Sequence, residues 1–305
     1  MLQRDAFIEE ITKRLEKDKS IYFLSADFGA AALDTLRERF PKNFLHCGIS
    51  EQAMLDIASG LAIEGNKVFV YAMAPFISLR SIEQAKCGAG LMNLPICIIS
   101  VGIGLGYADA GPTHYSTEDY ACFRSIVGSS IYTPSDINST KLIAKDLLDE
   151  PKFSYVRLDR DKLPNISPEI NINDYKAGFK VYGEINNHKI GLISHGKMFH
   201  KCMDVYLKDS KNFFCVDVFR SKPFPETLPI KTFSCKGFVV VDEQSPSGNL
   251  SSCIFEGFSE QKKFPKIISK CLPERYFFEN GGREFLLNKF GLSNDDIIDA
   301  SKKIT

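Results

Sequence analysis

Hydrophobic and polar positions along this chain follow two alternating periods. Short apolar runs stand at SIYFLSAD (20–27), FLHCGI (44–49), VFVYAM (68–73), ICIISVG (96–102) and FSYVRLDR (153–160), and each predicts a buried strand. Between them, apolar residues recur every three or four positions. That spacing predicts an amphipathic N-terminal helix carrying Phe7, Ile8, Ile11 and Leu15, a helix through Leu33, Leu36 and Phe40, and one through Met54, Leu55, Ala58, Leu61 and Ala62. Further helices are expected through Leu79–Leu91 and around Glu118–Ile126, and IYTPSD (131–136) reads as a strand running into a helix start. Strands alternating with helices at this spacing indicate a parallel sheet covered on both faces.

Residues 161–176 lose the periodicity and collect Pro, Asn and Asp, the signature of a linker. A second alternation follows: KIGLISHG (189–196), a helix through Met203–Leu207, NFFCVDV (212–218), GFVVVDEQ (237–244), the segment Gly248–Phe258 and two helices from Arg283 onward. The expected fold class is therefore α/β, with two parallel-sheet domains at 1–164 and 165–305, the second smaller.

Residues 44–76 are the centre of the first domain. Ser50 is a good N-cap type at the end of the strand 44–49, and Gly65-Asn66 breaks the helix that Glu51 opens. Glu51 thus stands where a parallel strand ends and a helix begins, the edge at which α/β sheets bind ligands. On position alone, an acid in a first helical turn complements the helix dipole, worth ~0.3–1 kcal/mol.

Composition narrows the picture only modestly. The 305 residues, 44% of them hydrophobic, suffice for one large or two ordinary domains. Lys plus Arg and Asp plus Glu both total 38, so charge points neither to nucleic acid nor to an anionic membrane. No apolar stretch has the length of a signal peptide or a membrane span, and a cytoplasmic chain is expected. Nine cysteines are scattered without a C-x-x-C pair, and Cys47, Cys97, Cys215 and Cys253 lie in apolar runs. Such cysteines act as small hydrophobes, so neither a metal cluster, a disulfide frame nor a catalytic thiol is expected.

Glycines at 102, 104, 106 and 111 suggest a dinucleotide fingerprint, but Tyr107 and Asp109 occupy the third glycine positions of the two possible frames. A nicotinamide site is rejected on that ground.

Three ordered motifs within 44–125, GISEQAMLDIASGLAIEG, YAMAPFISLRSIEQA and AGPTHYSTEDYACFRSI, resemble the pyrimidine-binding domain of transketolase. VVVDEQSPSGNLSS and FFENGGREFLLNKFGLSNDDIIDASKKI resemble that family's C-terminal domain, so the resemblance covers nearly the whole chain. It implies a thiamine-diphosphate enzyme that passes a two-carbon ketol unit from a ketose to an aldehyde, the organic chemistry belonging to the cofactor. Glu51 would then bond the ring nitrogen of the aminopyrimidine and share a proton with it, and Phe76, Met73 and Arg80 would bind the cofactor, Phe76 by stacking on the pyrimidine. His114 of GPTH would act as a proton shuttle or as a donor to the developing alkoxide. Arg160 matches an arginine that binds the sugar phosphate, with Arg157 a weaker candidate, and Asp109 would reach the substrate.

Two departures from the family pattern bear on specificity. The acid usually found directly before the GPTH glycine is replaced by Ala110, with Asp109 one place earlier, and Gly102 stands where many transketolases carry a histidine. Ile82 reads as packing, as do His195 and the Asp242-Glu243 pair of the second domain, the latter alternatively as a subunit contact. The family's G-D-G motif, which serves Mg²⁺ and the diphosphate, does not occur. The resemblance therefore implies a partner chain that carries the diphosphate-binding domain and the metal, two copies of each chain, and an isolated chain that is inactive. Other readings are a subunit of another thiamine enzyme, similar to deoxyxylulose phosphate synthase or a 2-oxoacid dehydrogenase β chain, or a non-catalytic regulatory paralogue.

Overall fold

The computed structural model describes residues 1–259 and 264–304. Two compact units emerge: Met1–Ile103 with Cys122–Ser167, and Gly104–Ala121 with the chain from Pro168 onward. Residues 104–121, which lie inside the first domain by sequence, thus fold with the second unit.

The first unit carries strands β1 (Ile21–Ala26), β2 (Phe44–Gly48), β3 (Lys67–Met73), β4 (Ile96–Val101), β5 (Ser130–Tyr132) and β6 (Ser154–Leu158). They stand in the order β5-β6-β4-β3-β1-β2, and every pair is parallel. All six residues of β4 are buried, as are Val68–Ala72 of β3, which explains their continuous apolar runs: both faces of this sheet are covered. Helix α1 (Gln3–Leu15) packs on α6 (Ile137–Asp149), while α2 (Ala31–Arg39) joins β1 to β2 and packs on α1. Helix α3 (Glu51–Ile63) follows β2 at the edge of the sheet, packs on β1 and β3, and leads the chain to β3 on the other side of β1. Met54, Leu55, Ala58 and Ala62 form its buried stripe, whereas Leu61 is only half-buried.

Two local expectations fail for physical reasons. Ser50 precedes α3 but does not cap it, because its hydroxyl donates back to the Cys47 carbonyl. The helix expected over Leu79–Leu91 begins instead at Phe76 and winds as wide π turns over Phe76–Arg80 and Ala85–Gly90, on either side of one short α turn, α4 (Ile82–Gln84). Ser78 Oγ donates to the Ala74 carbonyl at 2.6 Å and Ser81 Oγ to that of Ile77 at 2.7 Å. Such hydroxyls compete for the carbonyls that a regular helix would use, and single π turns recur at functional sites.

Helix α6 shows how side chains terminate elements here. Asp136 accepts from the Ser139 amide at 2.8 Å and, through its other oxygen, from the Ile166 amide at 3.1 Å. Asp136→Ala is expected to cost ~2 kcal/mol, since it removes an N-cap and strands a buried amide. A lower urea midpoint with an unchanged denaturant slope would show it.

Helix α5 (Asp119–Ser125) leads from residues 104–121 back into the first unit. In the second unit, β7 (Lys180–Tyr182), β8 (Ile190–Ser194), β9 (Phe213–Asp217), β11 (Gly237–Val241) and β12 (Ile267–Lys270) stand in the order β12-β11-β8-β9-β7. All pairs are parallel except β7 with β9. The unit also contains the short strand β10 (Arg220–Lys222) and helices α7 (Ile172–Ala177), α8 (Gly196–Lys208), α9 (Thr227–Thr232), α10 (Leu250–Phe258), α11 (Arg283–Lys289) and α12 (Asn294–Ser301). Helix α12 packs on α8 and β11. Part of the expected linker is ordered as α7, which Asn171 and Asp174 start by capping one another's amides. Among the described residues no helix is long and apolar enough to cross a membrane.

Candidate functional site

Glu51 opens α3 at the end of β2 and is only 3% exposed. Its Oε2 accepts a hydrogen bond from Arg80 Nη1 at 2.5 Å, and the Arg80 guanidinium carbon lies 4.6 Å from the centroid of the Phe76 ring. A carboxylate and an aromatic face thus flank one planar cation. The wide turn over Phe76–Arg80 makes this grouping, because it brings Arg80 back over Phe76 while the segment packs on α3. Charge-assisted bonding and stacking are the two interactions that a planar nitrogen heterocycle would use here. The donor set therefore fits the aminopyrimidine end of thiamine: one buried acid for a ring nitrogen and one ring for stacking.

Met73, Gly102 and Arg160 of the first unit are at strand ends. Met73 closes β3 and is half-buried, and Ile82 is half-buried on α4. Gly102 follows β4 with φ +85°, a conformation that a histidine at this position would adopt only with strain. Arg160 lies just beyond β6 and is half-buried. Arg157 is 1% exposed within β6 and donates to Thr133 Oγ1 at 3.1 Å, which places it in the core of the sheet.

Asp109, Ala110 and His114 belong to the 104–121 segment and hence to the second unit. Reciprocal bonds close the segment at Gly104 and Ser116, at 2.9 and 2.8 Å. Pro112 and Thr113 form a turn in which the His114 amide donates to the Gly111 carbonyl, and His114 Nδ1 faces Thr113 Oγ1 at 2.9 Å. Asp109 and Ala110 are exposed. The turn after β11 anchors the segment: Gln244 Nε2 donates to the Ser116 carbonyl at 2.7 Å, and the Ser245 amide and hydroxyl donate to that of Thr117 at 2.9 and 2.7 Å. Glu243 approaches Gly104 so closely that a β-carbon there would lie 2.6 Å from Glu243 Oε2, a space only glycine leaves open. Sequence reading missed this role of Glu243, since nothing in the spacing ties 243 to 104.

The acids after β11 have structural partners, in line with packing. His195 Nε2 and Asp242 Oδ1 are 3.2 Å apart, and Asp242 Oδ2 accepts the Leu250 amide at the start of α10. Glu243 takes Arg283 in a two-pronged pair at 2.9 and 2.6 Å, both side chains 6% exposed. The second unit also holds a cavity of about 330 Å³ walled by Pro112, Tyr115, Ser245, Arg275 and Phe277 among others; Glu51 is not among its walls. Burial pushes the thiols of Cys47, Cys97, Cys202, Cys215 and Cys271 up, and that of Cys235 to about 11, which keeps all of them protonated at neutral pH. Among the described residues no three His, Cys, Asp or Glu side chains are grouped to hold a metal ion.

Comparison with known proteins gives concordant matches. Residues 1–165 match the family described as the transketolase pyrimidine-binding domain. The chain is similar to an apulose-4-phosphate transketolase subunit of Phocaeicola vulgatus, 27% identical over 299 residues, which cover 96% of this chain and 94% of that one. It is also similar to the 6-deoxy-6-sulfo-D-fructose transketolase subunit SqwH of a Clostridium species, 25% identical over 307 residues and covering 99% and 94%. A solved structure described as a split-gene transketolase, an inactive β4 tetramer, superposes with a TM-score of 0.86 at 24% identity, covering 100% of this chain and 98% of its own, a likeness of fold.

Proposed function

Because this chain belongs to the transketolase pyrimidine-binding domain family, we propose that it is one subunit of a two-chain, thiamine-diphosphate-dependent transketolase that moves a two-carbon ketol unit from a phosphorylated ketose to an aldose. The observation that carries this reading is Glu51, a buried carboxylate at a helix start on the sheet edge, grouped with the Phe76 ring.

Thiamine diphosphate, when bound, supplies the heterocycle that carries the transferred carbons. Glu51 holds a proton at the aminopyrimidine ring nitrogen, in a setting dry enough to make that bond strong. Phe76 provides the stacking face and Met73 an adaptable wall. His114 donates a hydrogen bond where the substrate oxygen gains negative charge, and Asp109 bonds a sugar hydroxyl. Arg160 receives the terminal anion of the sugar. The two relatives are named for a sugar phosphate and a sulfo-sugar, and each of these ends in such a group.

In this reading Mg²⁺ and the diphosphate are held by a partner subunit, in an assembly of two copies of each chain in the cytoplasm. Ile49 before α3, Ile57 on α3, and Leu79, Leu91 and Met92 on and after the segment packed against α3 are all exposed, an apolar face suited to that partner. Reconstitution with a chain carrying the diphosphate-binding domain, thiamine diphosphate and Mg²⁺ tests the proposal, with sugar phosphates screened as donors. Two-carbon transfer should require both chains; activity on pyruvate instead would reassign the enzyme to a synthase class. His114→Gln is expected to lower kcat by about 10²-fold while leaving coenzyme affinity unchanged.

A further inference from the structure

We propose, resting on the assignment of Glu51 to the aminopyrimidine, that Arg80 is a resident competitor for the coenzyme's ring: its guanidinium occupies the Glu51–Phe76 position and must leave for the coenzyme to bind. A guanidinium is planar, delocalised and rich in N–H donors. Here it donates to Glu51 Oε2 at 2.5 Å and lies 4.6 Å over Phe76. An aminopyrimidine is likewise planar and seeks an aromatic face; its ring nitrogen is an acceptor, so on replacing Arg80 at the Glu51 carboxylate it takes up one proton from solvent, which the two then share. The two groups need the same carboxylate and the same ring.

The two partners differ in freedom to move. The Glu51 side chain is 4% exposed, whereas that of Arg80 is 39% exposed. Withdrawal of Arg80 without a replacement would strand a buried carboxylate, which is strongly unfavourable. The exchange is therefore the guanidinium for a ring nitrogen plus one proton from solvent, and Arg80, with solvent beside it, is the group that moves. A ligand that binds only the displaced form loses apparent affinity in proportion to that form's population. Arg80 thus sets how tightly the coenzyme is held, by competition rather than by contact.

The test uses the 305-residue chain with 4-amino-2-methylpyrimidine as the probe, titrated by calorimetry at a pH where the aminopyrimidine is uncharged. With a displaced form at roughly 10% of the population, Arg80→Met should tighten probe binding about 10-fold. Salt should tighten binding to the wild-type chain, because it screens the half-exposed ion pair, and should leave Arg80→Met unaffected. Weaker or equal binding by a folded Arg80→Met chain overturns the competition. Where that variant misfolds, the wild-type salt series decides: binding that stays level or weakens with salt overturns it as well. Glu51→Gln separates the two claims. Undiminished probe binding by Glu51→Gln would remove the coenzyme assignment itself, whereas loss there without a gain in Arg80→Met removes only the role of Arg80.

Discussion

Glu51→Gln is expected to lower two-carbon transfer by the reconstituted enzyme by about 10²–10⁴-fold, the range a positioned acid–base group supplies. Glutamine keeps the shape of the side chain and still offers hydrogen bonds, yet it cannot exchange a proton with a ring nitrogen. The residue lies at the first position of α3, where glutamine gives up only the acid's ~0.3–1 kcal/mol complement to the helix dipole and leaves Arg80 with solvent beside it. Unfolding should change far less than turnover, by an amount comparable to a half-exposed ion pair, ~1 kcal/mol. Steady-state kinetics with saturating coenzyme and a parallel thermal melt separate the two effects. Retention of more than a tenth of the wild-type turnover would mean that the proton is managed elsewhere.

The largest stability effect is expected at Arg283. Arg283→Met leaves Glu243 buried at the turn after β11 without its two-pronged partner, and breaking a buried pair on one side costs about 3–5 kcal/mol. Replacing both members with apolar residues of similar size, as in Glu243→Leu with Arg283→Met, should restore most of the loss, because burying the pair itself carries a desolvation cost. Chemical denaturation of the wild-type chain, Arg283→Met, Glu243→Leu and the double variant forms a double-mutant cycle that measures the coupling. The same acid abuts Gly104, so Arg283→Met should also increase proteolytic nicking within 104–121 relative to the rest of the chain.

The sheet of the first unit was legible because its inner strands, β3 and β4 above all, are covered on both faces and carry unbroken apolar runs between turn residues. Glu51 was legible for the same reason: a strand, a small polar residue and a helical stripe leave little choice about where an acid at 51 must stand. The turns around Arg80 were not, since a 3.6-residue pattern cannot show hydroxyls of Ser78 and Ser81 drawing carbonyls out of register. Ser50 has the composition of a cap without the geometry, because its hydroxyl finds the Cys47 carbonyl first. Strands β7 and β12, of three and four residues, are too short for periodicity to register. The allegiance of 104–121 depends on bonds to residues 244 and 245, more than a hundred positions away, which no local pattern encodes.

That allegiance bears on how the family can diversify. The histidine-bearing turn is held by Gln244, Ser245 and Glu243, so a recombination event that swaps the carboxy-terminal half at residue 165 replaces the scaffold of that turn while keeping its letters. On the proposed role of His114, changes in the 243–248 and 283 regions then alter sugar preference with every first-half motif intact. A survey that reads only the amino-terminal signature would miss it.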